Sequence, residues 1–391
     1  MRSGVLPPGA TAAPGAYVHV PFCAHRCSYC SFVALEGTAE EGDYFHGLER
    51  EIRSRGAGAS GLLRNLDSVY FGGGTPSFVD AVRLRGALGA LEESFGLSSG
   101  AEITAEANPD DLDAAKLAAL GEVGINRLSV GVQSLADAEL VFLERRHDAA
   151  SARRAVGDAV STFGNVSADL MIGIPGQTRA TLRASLDGLL EAGVSHLSAY
   201  LLEIEKAPKL VALKGSRPDL FADDDEMADR WLELDERLDA AGLLRYEISN
   251  WARPGFESRH NLKYWTLAPV LGFGVAAHSF DGRRRSANSG SLTEYLRRTR
   301  EGLSPVVTSG ENGGGLPGRK EGVMLGLRLA RGVPSSSFEE VRCSLPAAEA
   351  SRIGDVFEAG LLEVTGEGET RRVRLTRRGV LLSNEVFSLF L

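Results

Sequence analysis

Between residues 17 and 202, short apolar runs alternate about six times with longer amphipathic stretches. The apolar runs predict six strands, at residues 17–20, 68–71, 102–106, 127–132, 167–172 and 196–202. Apolar residues at helical spacing predict intervening helices at residues 39–54, 80–95, 110–122, 151–162 and 179–192. This order predicts parallel βαβ units, whose right-handed crossovers curl the sheet into a partial (β/α)6 barrel of the α/β class.

The rest of the chain predicts an extension of the barrel and a small second domain. Residues 224–241 predict a helix, and GENGGGLPG at 310–318 predicts a flexible linker. Beyond it, a helical segment at 321–332, a hairpin and a final helix are typical of a small winged-helix-like α+β domain. We expect a disordered tail at 1–15, the barrel with its extension at 16–290 and the C-terminal domain at 291–391.

Polar or special residues stand at the end of each predicted strand. Cysteines follow the first strand, GGGTP (72–76) follows the second, and the next three strands end at or carry Glu106, Gln133 and Asp169. In a parallel barrel the carboxyl ends of the strands meet at one face, where such barrels place their chemistry. The pattern therefore predicts one functional site at that face.

Three of the four cysteines lie within eight residues, in the sequence CAHRCSYC that spans 23–30. Thiolates are soft ligands that select zinc, copper(I) or iron–sulfur clusters. A structural zinc site needs a fourth ligand, which His25 or His19 would supply, so zinc stays open as an alternative. Three thiolates on a [4Fe–4S] cluster would leave one iron free for an exchangeable molecule. Cys343 is far from this loop in sequence, and a lone cysteine is usually core or surface filler.

Composition limits the other functions of the chain. The net charge is −9, which disfavours a nucleic-acid partner because such surfaces are usually basic. We predict neither a secretory signal nor a membrane span, since no basic segment precedes an apolar core and no run of about 18 apolar residues occurs. Membrane association is not encoded in the sequence. Clustered cysteines without a disulfide pattern favour a cytoplasmic protein with reduced thiols.

Seven sequence strings resemble one known family. They are YVHVPFCAHRCSYCSF, YFGGGTPS, NRLSVGVQSL, DLMIGIPGQT, YEISNW, SRHNLKYW and LGFGVAAHS. They are similar to the radical S-adenosylmethionine (SAM) superfamily, within it to the group of coproporphyrinogen dehydrogenase (HemN), and there to the HemW branch of heme chaperones. The resemblance runs from about residue 16 to the C-terminus. It implies that Cys23, Cys27 and Cys30 hold a [4Fe–4S] cluster whose open iron is chelated by SAM.

The same resemblance implies a set of SAM contacts. Gly73, Gly74 and Thr75 would lie along the methionine part of SAM. Glu106 and Gln133 would hydrogen-bond its polar groups, and Arg145 would face its carboxylate. Asp169 would bind the ribose or a polar group beside it. Two tyrosines, Tyr17 and Tyr29, would line the cluster and the adenosine.

The string HNLKYW, 260–265, separates two functions that share this fold. Its resemblance to heme chaperones implies that His260 binds heme, with His278 and His147 as less favoured ligands. The alternative is a coproporphyrinogen III dehydrogenase, which decarboxylates two propionates. That enzyme has a further cysteine where this chain has Phe32, and a longer N-terminal extension. Both differences favour a chaperone, and whether this chain is an enzyme stays open.

The resemblance also implies partners. The chaperone would pass heme to an acceptor protein in the respiratory chain, and it could form a homodimer through the face that carries the cluster. Other radical SAM chemistry and a zinc-stabilised barrel remain alternatives. A tRNA-modifying enzyme is disfavoured by the acidic charge balance.

Overall fold

A computed structural model describes residues 10–27, 29–30, 32–205, 207–311 and 315–391. The strands are β1 Gly15–Val20, β2 Phe22–Cys23, β3 Leu35–Glu36, β4 Leu66–Gly73, β5 Leu97–Ala107, β6 Arg127–Gln133, β7 Val166–Ile172, β8 His196–Leu201, β9 Leu244–Glu247, β10 Asn250–Ala252, β11 Val270–Phe273, β12 His278–Phe280, β13 Arg284–Asn288, β14 Val306–Glu311, β15 Val333–Pro334, β16 Leu362–Thr365 and β17 Arg372–Leu375. The helices are α1 Glu41–Ala57, α2 Ala81–Phe95, α3 Ala114–Val123, α4 Asp137–Phe142, α5 Ala149–Phe163, α6 Arg179–Glu191, α7 Pro208–Ser216, α8 Asp224–Ala240, α9 Arg259–Thr266, α10 Leu292–Arg300, α11 Leu316–Leu327, α12 Ser335–Cys343, α13 Ala347–Glu358, α14 Arg377–Leu381 and α15 Ser383–Phe387.

The wall of the barrel is the run of neighbouring strands β1-β4-β5-β6-β7-β8. Every neighbouring pair in this run is parallel, and each strand overlaps one of the six predicted strands. The five predicted intervening helices correspond to α1, α2, α3, α5 and α6, which confirms the predicted α/β barrel.

The two faces of the wall differ in polarity because successive side chains on a strand point to opposite sides. On β6, Leu128, Val130 and Val132 are buried in the apolar core that includes residues of the outer helices. Burying such a side chain contributes about 1.5–3 kcal/mol to folding. The opposite face carries Arg127 and Ser129, and across the sheet it continues with polar side chains that contact one another. The interior of this barrel is therefore polar, which suits polar ligands.

The sheet extends beyond the wall at both edges. Strand β11 pairs in parallel with β1 and continues antiparallel through β12, β13 and β14. At the other edge, β10 pairs antiparallel with β8 and is followed by β9. The sheet thus reaches Glu311, past the domain boundary predicted at 290/291, and that boundary remains a prediction.

Two predicted irregular segments are partly described. Residues 1–9 of the predicted tail lie outside the described residues, while β1 already begins at Gly15. Just before it, the carbonyl oxygen of Ala13 accepts a hydrogen bond of 2.7 Å from Lys263 Nζ. In the predicted linker, 312–314 lie outside the described residues, and the flanking positions belong to the end of β14 and the start of α11.

The C-terminal segment forms a separate three-stranded sheet in the order β15-β17-β16. Helices surround it, and Phe338 makes edge-to-face contacts with Phe357 and Phe390 in its core. The predicted hairpin is β16 and β17, followed by α14 and α15, as expected for a small α+β domain. Its junction with the barrel is close: the Arg328 guanidinium lies 4.2 Å from the centroid of the Trp265 ring. Within the described ranges, no helix is both long and apolar enough to cross a membrane.

Candidate cofactor site

The loop that carries Cys23, Cys27 and Cys30 leaves the barrel directly after β1. It is held at its base by the parallel pairing of β2 with β3, and the N–H of Gly37 donates to the Cys23 carbonyl oxygen over 2.9 Å. Cys23 is buried, whereas Cys27 and Cys30 are partly exposed. The three thiols therefore sit on one short loop at the carboxyl ends of the strands, as predicted.

A chain of hydrogen bonds joins two of the cysteines around this face of the barrel. Thr75 Oγ1 donates to Cys23 Sγ over 3.4 Å, and Asn108 Nδ2 donates to Thr75 Oγ1 over 3.2 Å. Arg145 completes the chain, because Nη2 donates to Asn108 Oδ1 over 2.5 Å and Nη1 lies 3.8 Å from Cys27 Sγ. We call Cys23, Thr75, Asn108, Arg145 and Cys27 the thiol circuit. It connects loops that follow β1, β4, β5 and β6.

Arg145 supplies a positive charge beside the thiols. Its Nη1 also approaches the hydroxyl oxygen of Tyr29 at 3.4 Å, and Nη2 donates to the carbonyl oxygen of Gly131 at 2.7 Å. Burial is the main cause that raises the pKa of Tyr29, so this phenol stays neutral. A neighbouring cation favours thiolate over thiol, and the thiolate is the form that binds metals. The charge of Arg145 therefore suits a loop that must bind metal.

Glu106 and Gly73 form a second part of the site. Glu106 accepts from the Tyr70 hydroxyl over 2.9 Å and from the Gly73 N–H over 3.0 Å. Gly73 has φ of +114°, and a Cβ at this position would lie 2.5 Å from the His19 ring, so only glycine fits. Burial raises the pKa of Glu106 from 4.5 to about 7, against the two hydrogen bonds, which lower it. Near neutral pH this carboxyl can therefore be either protonated or ionised, so it can either donate or accept a hydrogen bond.

Gln133 is the last residue of β6, and Asp169 lies in the middle of β7. Gln133 has φ of +67°, a left-handed conformation that is uncommon for residues other than glycine. A Cβ on Gly131 would meet Gln133 Nε2 at 3.1 Å and Arg145 Nη2 at 3.4 Å, so these two side chains converge. The Ser129 hydroxyl donates to Asp169 Oδ1 over 3.3 Å, and burial raises the pKa of Asp169. Both predicted residues thus border the barrel interior.

The two histidines considered as zinc ligands are engaged elsewhere. His19 shares hydrogen bonds with Tyr17 at 3.1 Å and with the Val33 carbonyl oxygen at 2.8 Å. His25 lies 3.1 Å from Glu36 and 3.8 Å from Glu144. Across the described ranges, no three His, Cys, Asp or Glu side chains are already arranged to hold a metal ion.

His260 lies at the other end of the strands from the cysteines. It is only 1% exposed, and its Nδ1 and Nε2 are 3.1 Å from Ser68 Oγ and 3.0 Å from the Tyr264 hydroxyl. Its N–H and that of Arg259 donate to the carboxylate of Glu102 over 3.0 Å each, which caps the start of α9. Burial, with smaller contributions from nearby cations, lowers the pKa of His260 to about 3. The imidazole is therefore neutral, and both of its nitrogens are occupied.

Most of the predicted SAM contacts lie together in the structure. Two predicted residues, Tyr17 and His260, lie apart from them. Hydrogen bonds at the carboxyl ends join Cys23 to Thr75 and join Arg145 to Cys27 and Tyr29. Gln133 lies near Arg145, and Gly73 is bonded to Glu106. His260 is at the amino ends, and the Tyr17 ring lies between, 6.2 Å from the Tyr70 ring and 6.5 Å from His260. Gly74 packs its backbone against the chain at β1–β2, where its N–H donates to the Val20 carbonyl oxygen over 2.7 Å.

Sequence reasoning missed three residues of this region. Asn108 is the centre of the thiol circuit, and its signal was a second polar residue at the end of the strand that carries Glu106. Tyr70 holds Glu106, but a tyrosine in an apolar strand is typical of core packing. Arg127 is fully buried, although an arginine at the start of a strand usually marks the protein surface.

Comparison with known proteins shows which family the chain resembles. A model of the radical SAM superfamily matches residues 17–189. The heme chaperone HemW of Mycobacterium tuberculosis is 36% identical over 389 residues, covering 97% of this chain and 96% of that protein. HemW of Bacillus subtilis is 35% identical, covering 96% of this chain and 98% of that protein.

The fold also matches a solved structure. Coproporphyrinogen III oxidase (HemN) from Escherichia coli, a radical SAM enzyme, superposes with a TM-score of 0.80 at 22% identity, covering 97% of this chain and 90% of that chain. At this identity the match concerns the fold alone. Identity above 30% over almost the whole length of both chains, by contrast, establishes a family. The chain belongs to the HemW family of the radical SAM superfamily.

Proposed function

We propose that this protein is a heme chaperone that binds heme and transfers it to an acceptor protein. The observation that carries the proposal is the similarity to heme chaperones over nearly the whole chain. Membership in the radical SAM superfamily implies a [4Fe–4S] cluster and SAM as cofactors. When bound, these two groups supply one-electron chemistry.

The thiol loop fits such a cluster by its donor set. Cys23, Cys27 and Cys30 would be the three ligands. A fourth protein ligand is not offered by His19 or His25, which are engaged, and Phe32 is 60% exposed at the position of a further cysteine in the dehydrogenase. Three soft ligands on one loop match an iron–sulfur cluster with one iron open to an exchangeable ligand better than they match a closed zinc site.

The residues around the loop would bind and orient SAM. Arg145 can turn its guanidinium fork towards a carboxylate, which fits two oxygens at once. Glu106 would accept hydrogen bonds from an ammonium or hydroxyl group, and Gln133 and Asp169 would bind polar groups further along the strand ends. Gly73 and its neighbours present backbone close to the site because a side chain there would strike His19.

Heme would bind at the HNLKYW motif. A neutral imidazole is the form that ligates heme iron, and the low pKa of His260 keeps it neutral. Its Nε2 would have to exchange its hydrogen bond to Tyr264 for iron. Tyr264 is 40% exposed, so α9 offers a route to solvent at this point. We therefore propose that α9 shifts when heme binds.

Other parts of the proposal rest on the family alone. The heme acceptor would belong to the respiratory chain, the protein would act in the cytoplasm, and two copies would associate through the face that carries the cluster. The alternative function, decarboxylation of coproporphyrinogen III, rests on the resemblance of the sequence to the wider HemN group. Phe32 argues against it.

Anaerobic reconstitution followed by a heme titration tests the proposal. We expect the protein to bind iron and sulfide and to bind heme, with little decarboxylation of coproporphyrinogen III. Cys30→Ser should lose the iron, whereas Cys343→Ser, at an exposed cysteine of α12, should keep it. Bound zinc in place of iron would contradict the cluster, and efficient decarboxylation would contradict the chaperone.

The heme ligand is tested in the same titration. His260→Ala should weaken heme binding, whereas His46→Ala, at an exposed histidine of α1, should leave it unchanged. Equal heme binding by His260→Ala and the parent protein would remove His260 as the ligand.

A further inference from the structure

Arg127 is a buried cation for which the described part of the chain supplies no hydrogen-bond or ion-pair partner. It is the first residue of β6, and its side chain is only 1% exposed. Its Nε is fully enclosed and makes no hydrogen bond, and no residue in the described part of the chain forms an ion pair with the guanidinium. Burial raises the pKa of Asp169 and the charge of Arg127 lowers it, so the two groups interact, but no ion pair joins them within the described residues. A buried guanidinium without hydrogen bonds is costly, which indicates a site for an anionic ligand.

The neighbours of Arg127 line the interior of the barrel. Arg127 pairs in register with Thr104 of β5, and it shares its strand face with Ser129, which contacts Asp169. Thr104 pairs in turn with Tyr70 of β4, whose ring is stacked 5.2 Å from that of His260. The charge of Arg127 adds to burial in lowering the pKa of His196 and of His260. The guanidinium therefore faces the polar interior near the amino ends of the strands.

Neutral partners already bond both nitrogens of each imidazole near Arg127. His196 Nδ1 is 2.7 Å from Ser167 Oγ, and His196 Nε2 is 2.8 Å from the Tyr246 hydroxyl. His260 is likewise bonded to Ser68 and Tyr264. The Arg127 Nε–H is unbonded, as is the Thr104 hydroxyl on the neighbouring strand, and a planar fork of N–H groups matches a carboxylate.

We propose that Arg127 binds a carboxylate of the ligand that enters the barrel, which on the proposed function is a propionate of heme. A heme molecule carries a metal centre and carboxylates at its edge. The amino ends of the strands offer a matching pair, the imidazole of His260 and the unpaired guanidinium of Arg127. This site differs from the one proposed for the SAM carboxylate, because Arg145 lies at the opposite ends of the strands.

The test compares heme with heme dimethyl ester, which lacks both carboxylate charges. The reconstituted protein should bind heme roughly tenfold more tightly than the ester, the size expected for one charge-assisted contact. Arg127→Gln should bind both molecules equally weakly while its iron content and SAM affinity stay unchanged. Arg127→Lys should recover part of the preference, because it keeps the charge and loses the fork.

Arg230→Gln is the matched control. Arg230 is also a buried arginine, but it lies in α8 and donates to Glu226 Oε1 and to the Gln177 carbonyl oxygen. This variant should be less stable than the parent protein and keep its preference for heme over the ester. A preference retained by Arg127→Gln would overturn the proposal. If Arg127→Gln fails to fold, the parent protein alone still tests the proposal. Equal affinity of the parent protein for heme and for its ester would also overturn the proposal.

A failure of the heme function itself gives a different result. If the parent protein binds neither heme nor its ester, coproporphyrin III and its tetramethyl ester replace them in the same titration. A preference for the free acid that Arg127→Gln abolishes would support the carboxylate site without the heme function. Equal binding of acid and ester, or binding of neither, would overturn the site as well.

Discussion

Replacing Glu106 by glutamine should change how the stability of the protein depends on pH. Burial raises the pKa of this carboxyl from 4.5 to about 7. Between these values the folded protein keeps a proton that the unfolded chain has already released. The free energy of unfolding therefore falls as pH rises through this window, and the stability present below pH 4.5 is lost above pH 7.

The size of this effect follows from the shift. A shift of about 2.5 units corresponds to about 3 kcal/mol at most, of which about 2.5 kcal/mol falls between pH 5 and pH 8. Glu106→Gln cannot titrate, so its free energy of unfolding relative to the parent should rise by that amount from pH 5 to pH 8. Glutamine can still accept from the Gly73 N–H, so the fold should persist.

Urea unfolding of the metal-free protein at several pH values measures this difference. Trp231 and Trp251 are buried in the core and report unfolding by fluorescence. Comparing variant with parent at each pH removes every effect of the substitution that does not depend on pH. Glu122→Gln, at an exposed position of α3, is the control: it measures how the loss of a surface carboxylate changes the free energy of unfolding. If the difference in free energy of unfolding between Glu106→Gln and the parent stays constant from pH 5 to pH 8, the reasoning is refuted.

Two further predictions concern a buried ion pair and the thiol circuit. Lys263→Met should lower the free energy of unfolding by about 3–5 kcal/mol, because Asp67, 2.5 Å from Lys263 Nζ, would be left unpaired in the interior. Adding Asp67→Leu should recover most of the loss in urea unfolding, and a loss below about 1 kcal/mol for Lys263→Met alone would count against this. Arg145→Lys should weaken SAM binding by roughly tenfold or more in anaerobic calorimetry, because lysine keeps the charge but cannot hold Asn108 and a carboxylate with one fork. Arg146→Lys, next in sequence and half-exposed, is its control, and equal SAM affinity of the two variants would exclude Arg145 as the carboxylate contact.

Much of the barrel was predictable because its pattern is local. Alternating strands and helices need only the apolar period of each segment, and the six predicted strands all appear. Strands β9 to β14 were not predicted, since most hold only three to five residues and lack a clear period. Their pairing depends on the edges of the sheet that they join.

The candidate site, too, was predictable only where its residues are close together in sequence. The spacing of Cys23, Cys27 and Cys30 predicts a metal-binding loop, since three thiols so close in sequence must lie near one another. Asn108 could not be recognised as their partner, because its contacts with Thr75 and Arg145 join loops distant in sequence.

The sequence alone therefore determined the class of fold and the family and predicted a ligand set on the loop, because each is carried by residues close together along the chain. Only the tertiary structure decided that His260 lies at the far ends of the strands and that Arg127 is buried with no ion pair among the described residues. The reason is physical: whether a charge is paired and which nitrogens are free depend on register and burial. Both are set when distant strands close the barrel.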